Sequence, residues 1–309
     1  MSRPQPTRTA AAGKAANVAR AARSPGAGRV ERLSGGCERE ALRFLGARPL
    51  HTIIMAGMIR DNGCESELNR GSFHAFRDAR GRLQGVALLG HLTVFEARTE
   101  EALAAFARRA RSVGETRLIL GESETVGRFW SEFDPAGRVP RKLRREYLLE
   151  LRHDPPGLRC APVPSLRPAV PADLERVSAA HAEMARGASG VDPLEVDREG
   201  FNARTLRRIE RGRVWVWTEG GRLVFKADAV ADTPEVVYLE GLYVHPRERG
   251  KGYGLRCLSQ LGRSLLARSA SVCLLVEAGN GAALSLSRRA GYEPRADYDT
   301  IFLGPRDPA

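Results

Sequence analysis

Residues 236–254 read VVYLEGLYVHPRERGKGYG, and their basic and glycine residues are spaced to hold an anion. A strand ends at His245 and Pro246, because proline cannot donate to a continuing ladder. A turn carrying Arg247, Arg249, Gly250, Lys251, Gly252 and Gly254 follows, and then an amphipathic helix, LRCLSQLGRSLLARS. Amides left unpaired at a helix start, the helix dipole and missing side chains together admit a phosphate group. Two phosphate motifs fail on spacing. A P-loop needs Ser or Thr after its lysine, but Gly252 follows Lys251. A G-x-G-x-x-G fingerprint starting at Gly250 would need glycine at Leu255.

What does fit is R-x-x-G-x-G across Arg249, Gly252 and Gly254. This resembles the acyl-CoA signature of the GNAT superfamily of N-acetyltransferases. The LYVHP strand end before it, the helix after it, the VCLLVE strand, Asn280 with Ala283, and Gly291-Tyr292 are similar to that family as well. The resemblance covers roughly 165–305. It implies that amides of Gly250, Lys251, Gly252, Tyr253, Gly254 and Leu255 hold the CoA pyrophosphate, with charge from Arg249 and Lys251. It implies a β-bulge near Tyr243–His245 that splays the LYV strand from the VCLLVE strand. Pantetheine would enter the opening and pair with strand backbone. An N–H near Leu242, Tyr243 and Val244 would stabilise the developing oxyanion, and Asn280 joins the acetyl-CoA-binding set.

An amine must be neutral to attack a thioester, so a general base helps. Glu240 matches the position of a basic carboxylate in many members of the family; the alternative is a solvent-facing strand residue. The family often places a tyrosine seven residues after the asparagine to protonate the departing thiolate, and Ser287 stands there instead. Water held by Ser287, a nearby phenol, or unassisted departure could replace it, with Tyr298 preferred over Tyr292 because its strand can return to the cleft. His181 and Glu183 read as a solvated helix face or a substrate contact. His245 reads as a turn residue that could also titrate, and Trp215 and Trp217 as core or cleft packing. Cys257 and Cys273 read as buried small hydrophobes. No metal is expected, since no H-E-x-x-H or zinc-finger spacing is present.

The elements around these residues form two halves. Short helices at 36–47 and 50–61 precede strands at 72–76, 84–89 and 92–97. A helix opens at Thr99, a strand covers 117–121, a helix 123–133 and a strand 146–151. After a Pro-rich stretch, a strand at LRPAV leads into a helix from Pro171 and another over 201–211. Strands follow at 213–218, 223–229 and 236–244, a helix at 252–268, a strand at 271–277, a helix at 280–290 and a strand at 296–303. Both halves read α-α-β-β-β-α-β-α-β. The expected fold class is α/β (α+β): tandem GNAT-like domains, each a mixed, mostly antiparallel sheet flanked by helices. Two unrelated α/β domains are the alternative. The division is a disordered basic tail at 1–33, a GNAT-like domain without a CoA site at 34–153, a Pro-rich linker at 154–165 and an N-acetyltransferase domain at 166–309. The chain also resembles bacterial proteins in which an uncharacterised GNAT-like domain precedes a GNAT domain. In the first half the matching junction reads HLTVFEARTEEALAAFA, where Glu100 and Glu101 would fill the anion position and repel a pyrophosphate.

Of the net charge of +12 over 309 residues, residues 1–36 carry +6. The body is thus only modestly basic, and without an aromatic-basic RNA motif nucleic acid is disfavoured as a partner. The tail itself reads as plain solvated chain, a nucleic-acid-attracting arm or a targeting segment. The longest apolar runs fall far short of the roughly 20 residues of a membrane span. Five scattered cysteines without a C-x-x-C pair fit a reducing cytoplasm. The expected activity is acetyl transfer from acetyl-CoA to an unidentified primary amine by direct attack in a ternary complex. A non-catalytic acyl-CoA sensor and a nucleic-acid-associated protein docked by its tail are the alternatives.

Overall fold

The computed structural model describes residues 28–134, 136–137, 139–154 and 160–304. The first half runs β1 (Arg29–Arg32), α1 (Glu38–Leu45), α2 (Pro49–Asn62), β2 (Gly71–Arg77), β3 (Leu83–Gly90), β4 (Leu92–Ala97), α3 (Glu100–Val113), β5 (Leu118–Glu122), α4 (Ser123–Phe133) and β6 (Lys142–Leu151). The second runs β7 (Arg167–Pro168), α5 (Leu174–Ser189), α6 (Pro193–Val196), α7 (Arg198–Glu210), β8 (Val214–Glu219), β9 (Arg222–Asp232), β10 (Val237–Val244), α8 (Tyr253–Leu266), β11 (Val272–Glu277), α9 (Gly281–Arg289) and β12 (Glu293–Phe302). Local signals set many of these limits. Thr99 accepts a hydrogen bond from the Ala102 N–H at the start of α3, and Gly114 closes that helix at φ +76°.

The twelve strands among the described residues belong to one sheet, in the order β1-β2-β3-β4-β5-β12-β6-β11-β10-β9-β8-β7. The two halves therefore trade their last strands. β6, from the first half, pairs antiparallel with β11 from Val272↔Leu151 to Glu277↔Glu146. β12, from the second half, pairs antiparallel with β5 from Tyr298↔Glu122 to Phe302↔Leu118. The traded strands lie side by side at the centre and pair with each other along their length.

Helix α2 crosses onto the second half. Ile53 packs with Leu148, Ala231, Tyr238, Cys273 and Tyr298 in one buried cluster. Each fully buried aliphatic side chain there contributes about 1.5–3 kcal/mol. Gly57 permits the approach, because a Cβ at that position would lie 2.6 Å from the Ala231 Cβ. At the end of α2, Asp61 accepts two hydrogen bonds from Arg213, at 2.5 and 2.7 Å. The opposite face of the second half is covered by α8, whose Cys257, Leu258, Leu261 and Leu265 pack on Leu149, Val237, Leu239 and Leu274.

Three sequence expectations need correction. Residues 29–32, placed in the disordered tail, form β1, which pairs with β2 from Arg29↔Arg77 to Arg32↔His74. Residues 1–27 of that tail and 155–159 of the linker lie outside the described residues. β6 begins at Lys142 rather than 146, because KLRR pairs with the end of β12 and not with a strand of its own half. The short helix α6 was not anticipated; Asp192 caps it by accepting from the Leu194 N–H.

Candidate active site

β10 and β11 are parallel partners only from Val237↔Val272 to Leu239↔Leu274. Past Leu239 the two strands part, and an opening begins at Glu240. On its other side β10 slips against β9: Glu240 faces Asp228, but Tyr243 faces Lys226. Gly241 makes the slip possible. Its φ is +63°, and a Cβ would lie 2.7 Å from Lys226 Nζ and 2.8 Å from Asp228 Oδ2. The bulge therefore sits at Gly241-Leu242, upstream of the Tyr243–His245 position expected from sequence.

The turn after β10 is braced by its own side chains. His245 accepts from the Arg247 N–H at 3.3 Å, which makes it the turn residue. Arg249 Nε donates to the Val244 carbonyl at 3.1 Å, and Lys251 pairs with Glu248 at 2.8 Å. Gly250 and Gly252 both take φ +78°, with nothing within 4 Å of a Cβ built on either. Gly254 differs: a Cβ there would meet Leu286 and Val244 at 3.3 Å, so it serves the close packing of α8 on β10 and α9. Arg256 N–H, bonded to the Gly252 carbonyl, is the first in α8 with an acceptor. The N–H groups of Gly250, Lys251, Gly252, Tyr253, Gly254 and Leu255 find no acceptor among the described residues. These six donors at the start of a 14-residue helix with no acid in its first turn form an anion cradle.

Leu242 and Val244 are half-buried against the α8 core, beside the opening. Tyr243 faces the other way. Its hydroxyl donates to Glu183 of α5 at 3.1 Å, and burial together with that carboxylate pushes the phenol up to about 12. Asn280 caps α9 by accepting from the Ala283 N–H at 3.0 Å. Ser287 is buried on that helix, and Trp217 packs edge-on against Tyr253 at 4.8 Å. Burial pushes the Cys257 thiol up to about 12, which removes it as a nucleophile.

Glu240 is exposed, and its side chain makes no hydrogen bond among the described residues. Beside it lies a buried polar cluster that sequence reading missed. Lys226 Nζ and His181 Nε2 both approach Asp228 Oδ2, at 2.7 and 2.5 Å. Burial depresses Lys226 and His181, with Asp228 working against it. Burial would raise Asp228, but Lys226 and His181 hold it below the usual carboxylate range. His181, read as a solvated face, is thus tied to β9. The alternation of β9 hid Lys226 and Asp228, because both sit at positions that read as outward on an ordinary two-sided strand.

Tyr298 is not brought to this opening. It lies on β12, in register with Glu122 and Glu146, with β6 between it and β11. Its hydroxyl is 3.1 Å from His51 Nδ1, and both side chains line a small cavity with Arg48, Glu96 and Glu122. Strand exchange is the physical reason: the last strand of the second half completes the sheet of the first. That cavity occupies the corresponding gap in the first half, where β4 and β5 pair only at Leu92↔Leu118 and Thr93↔Ile119. Arg48 fills the gap, bonded to Glu96 at 3.2 Å and Glu122 at 2.7 Å, and about 50 Å³ remains. Glu101 accepts from the Gly28 N–H, and Glu100 pairs with Arg128, at the start of α3.

Residues 180–292 match the model of the acetyltransferase (GNAT) family. They form a GNAT domain. The segment before it, 71–177, matches a domain of unknown function, DUF4081. Three solved structures share the fold across both halves. A GNAT-family acetyltransferase from Colwellia psychrerythraea is 12% identical, with TM-score 0.57 over 89% of this chain and 100% of that one. A tandem GNAT protein from the clavulanic acid biosynthesis pathway is 16% identical, with TM-score 0.56 over 91% and 100%. A GCN5-related N-acetyltransferase from Sphaerobacter thermophilus is 15% identical, with TM-score 0.54 over 88% and 94%. No curated protein matches in sequence. The GNAT domain makes the chain an acyltransferase, and its family uses acetyl-CoA as co-substrate. No helix among the described residues is long and apolar enough to cross a membrane.

Proposed function

We propose that the chain transfers an acetyl group from acetyl-CoA to a primary amine, by direct attack within a ternary complex. The observation that carries this reading is the pairing of six acceptor-less amides at the start of α8 with the opening between β10 and β11 at Glu240. The amides of Gly250 to Leu255 bind the pyrophosphate, with Arg249 and Lys251 beside them. Backbone at Leu242, Tyr243 and Val244 lines the pantetheine path and polarises the thioester carbonyl, and Asn280 fixes the start of α9 opposite. Glu240 takes the proton of the attacking amine. With Tyr298 elsewhere, the thiolate leaves unassisted or through water, as its low basicity permits.

Glu240→Gln should slow transfer by about 10²–10⁴-fold, the range of general-base effects. The loss should be greatest at low pH, where less of the amine is neutral, with acetyl-CoA affinity unchanged. A pH–rate profile like that of the parent removes Glu240 as base. A large loss in His181→Gln with none in Glu240→Gln moves that role to α5.

The first half is a scaffold that covers the second and binds no CoA, because Glu100, Glu101 and Arg48 already occupy the positions a cofactor would need. Calorimetric titration should give one acetyl-CoA per chain; two would overturn this assignment.

A further inference from the structure

We infer that the acceptor is a small amine bearing two or more negative charges, as phosphate or carboxylate, bound in an arginine-lined cleft between the halves. This deepens the acetyltransferase reading and rests on it.

The cleft measures about 1010 Å³ and is walled by the end of α2, the residues before β2 and β5, α7 and the end of β12. Its lining holds eight arginines against two aspartates, with no lysine and no glutamate. The aspartates are already engaged. Asp61 is held by Arg213 and Arg211, and Asp197 by Arg204. Arg207 and Arg208 meet no acid among the described residues. Crowding like charges without counterions is unfavourable, and a bound polyanion offsets it. The surroundings register this strain. Burial depresses Arg70, Arg204 adds to the effect, and Asp197 opposes it. Burial depresses His91 as well, with Arg70, Arg117 and Arg204 adding to it. Arg70, one of the lining residues, is also the one described non-glycine residue at positive φ, +52°.

The cleft borders the buried polar cluster beside Glu240. Phe201 lines it and packs edge-on against His181 at 6.3 Å. Val230 lines it two residues along β9 from Asp228, the partner of Glu240 in register. Arg208 and Glu240 both act electrostatically on Lys226. Planar guanidinium forks suit phosphate and carboxylate oxygens alike. The volume lies at the upper end of small-molecule sites, roughly 300–1,000 Å³. The cleft also lacks a free aromatic platform of the kind that holds nucleic acid strands: Phe201 is engaged with His181, and Phe302 lies under Arg144.

The test compares matched amines by thiol release from acetyl-CoA: glucosamine against glucosamine 6-phosphate, and the peptide Gln-Lys-Gln against Glu-Lys-Glu. The charged member of at least one pair should have a kcat/KM at least tenfold higher, and the winning pair identifies phosphate or carboxylate. In the Arg207→Ser/Arg208→Ser variant that preference should fall toward one. Separately, inorganic pyrophosphate is titrated into protein saturated with CoA, so that the α8 site is filled. Binding should occur and be lost in the variant. Equal rates within both pairs, or pyrophosphate binding that is absent or insensitive to the variant, overturns the inference. So does tight binding of single-stranded RNA that the variant abolishes without any preference among small amines. Pyrophosphate binding with no thiol release from any amine upholds the anion cleft and defeats the acetyltransferase reading instead.

Discussion

Gly252→Glu should abolish measurable acetyl-CoA binding while the protein stays folded. The new Cβ meets no atom within 4 Å, so the side chain is not driven into the core. The backbone at φ +78° is strained by a side chain, at a cost of about 1–2 kcal/mol. That corresponds to a melting temperature lower by a few degrees, at about 2–4 °C per kcal/mol. The larger effect is on the ligand. A carboxylate would stand among six N–H donors that have no other acceptor, satisfying them from within and repelling a pyrophosphate. An affinity loss beyond 100-fold, about 3 kcal/mol, is expected by calorimetry. Gly252→Ala carries the same backbone strain without the charge and should lose much less. Wild-type affinity in Gly252→Glu would remove the turn as the phosphate site. Gly254 is a poorer probe, because its Cβ would press on Leu286 and Val244 and mix packing with binding.

Neither half should fold by itself. A fragment of residues 160–309 lacks β6, so the apolar strand β11 (VCLLVE) is left with an open edge where Leu151 to Glu146 now pair. β12 would lose both its neighbours, because β5 and β6 belong to the other half. A fragment of residues 28–154 loses β12 from β5 and uncovers Ile53 on α2. Each fragment made alone should aggregate or show no cooperative melting transition. Produced together, they should assemble into a one-to-one complex that binds a single acetyl-CoA. A 160–309 fragment that is monomeric and binds acetyl-CoA with full affinity would show that the exchanged strands are dispensable.

The sequence carried most of the elements because their signals are local. Thr99 with Glu100 and Glu101 marks one helix start, Pro171 another, and Gly220-Gly221 a hairpin that joins β8 to β9. The glycine turn is legible for the same reason: Arg249, Gly252 and Gly254 lie within six residues on a strand-to-helix junction. Strand partnership is not local. Glu146 to Leu151 reads as a buried strand whichever half it completes, so the exchange could not be seen, and Tyr298 was assigned to the wrong cleft. Nothing local marks β1 as a strand, because RVER is short and charged, and its partner among the described residues, β2, begins some forty residues later. The bulge was misplaced by a few residues, although Gly241 itself, a glycine amid a strand pattern, was the available signal. The Lys226–Asp228–His181 cluster depends on α5 packing over β9, which no spacing in the sequence encodes.

The central position of β12 also sets a schedule for the growing chain. β5 ends at Glu122, but its neighbour in the sheet begins only at Glu293. At a synthesis rate of about 5–20 residues per second, the ribosome needs on the order of 10–30 s to make the intervening chain. During that interval β5 presents an unpaired edge next to apolar Ile119, and β6 waits for a partner on either side. The first half thus leaves the ribosome as an unfinished sheet, and the last ten residues of β12 close it. A stop codon or frameshift shortly before residue 293 would do more than trim a tail: it would leave β5 and β6 as open edges at the centre of the sheet, so such truncated products should depend on chaperones or be degraded.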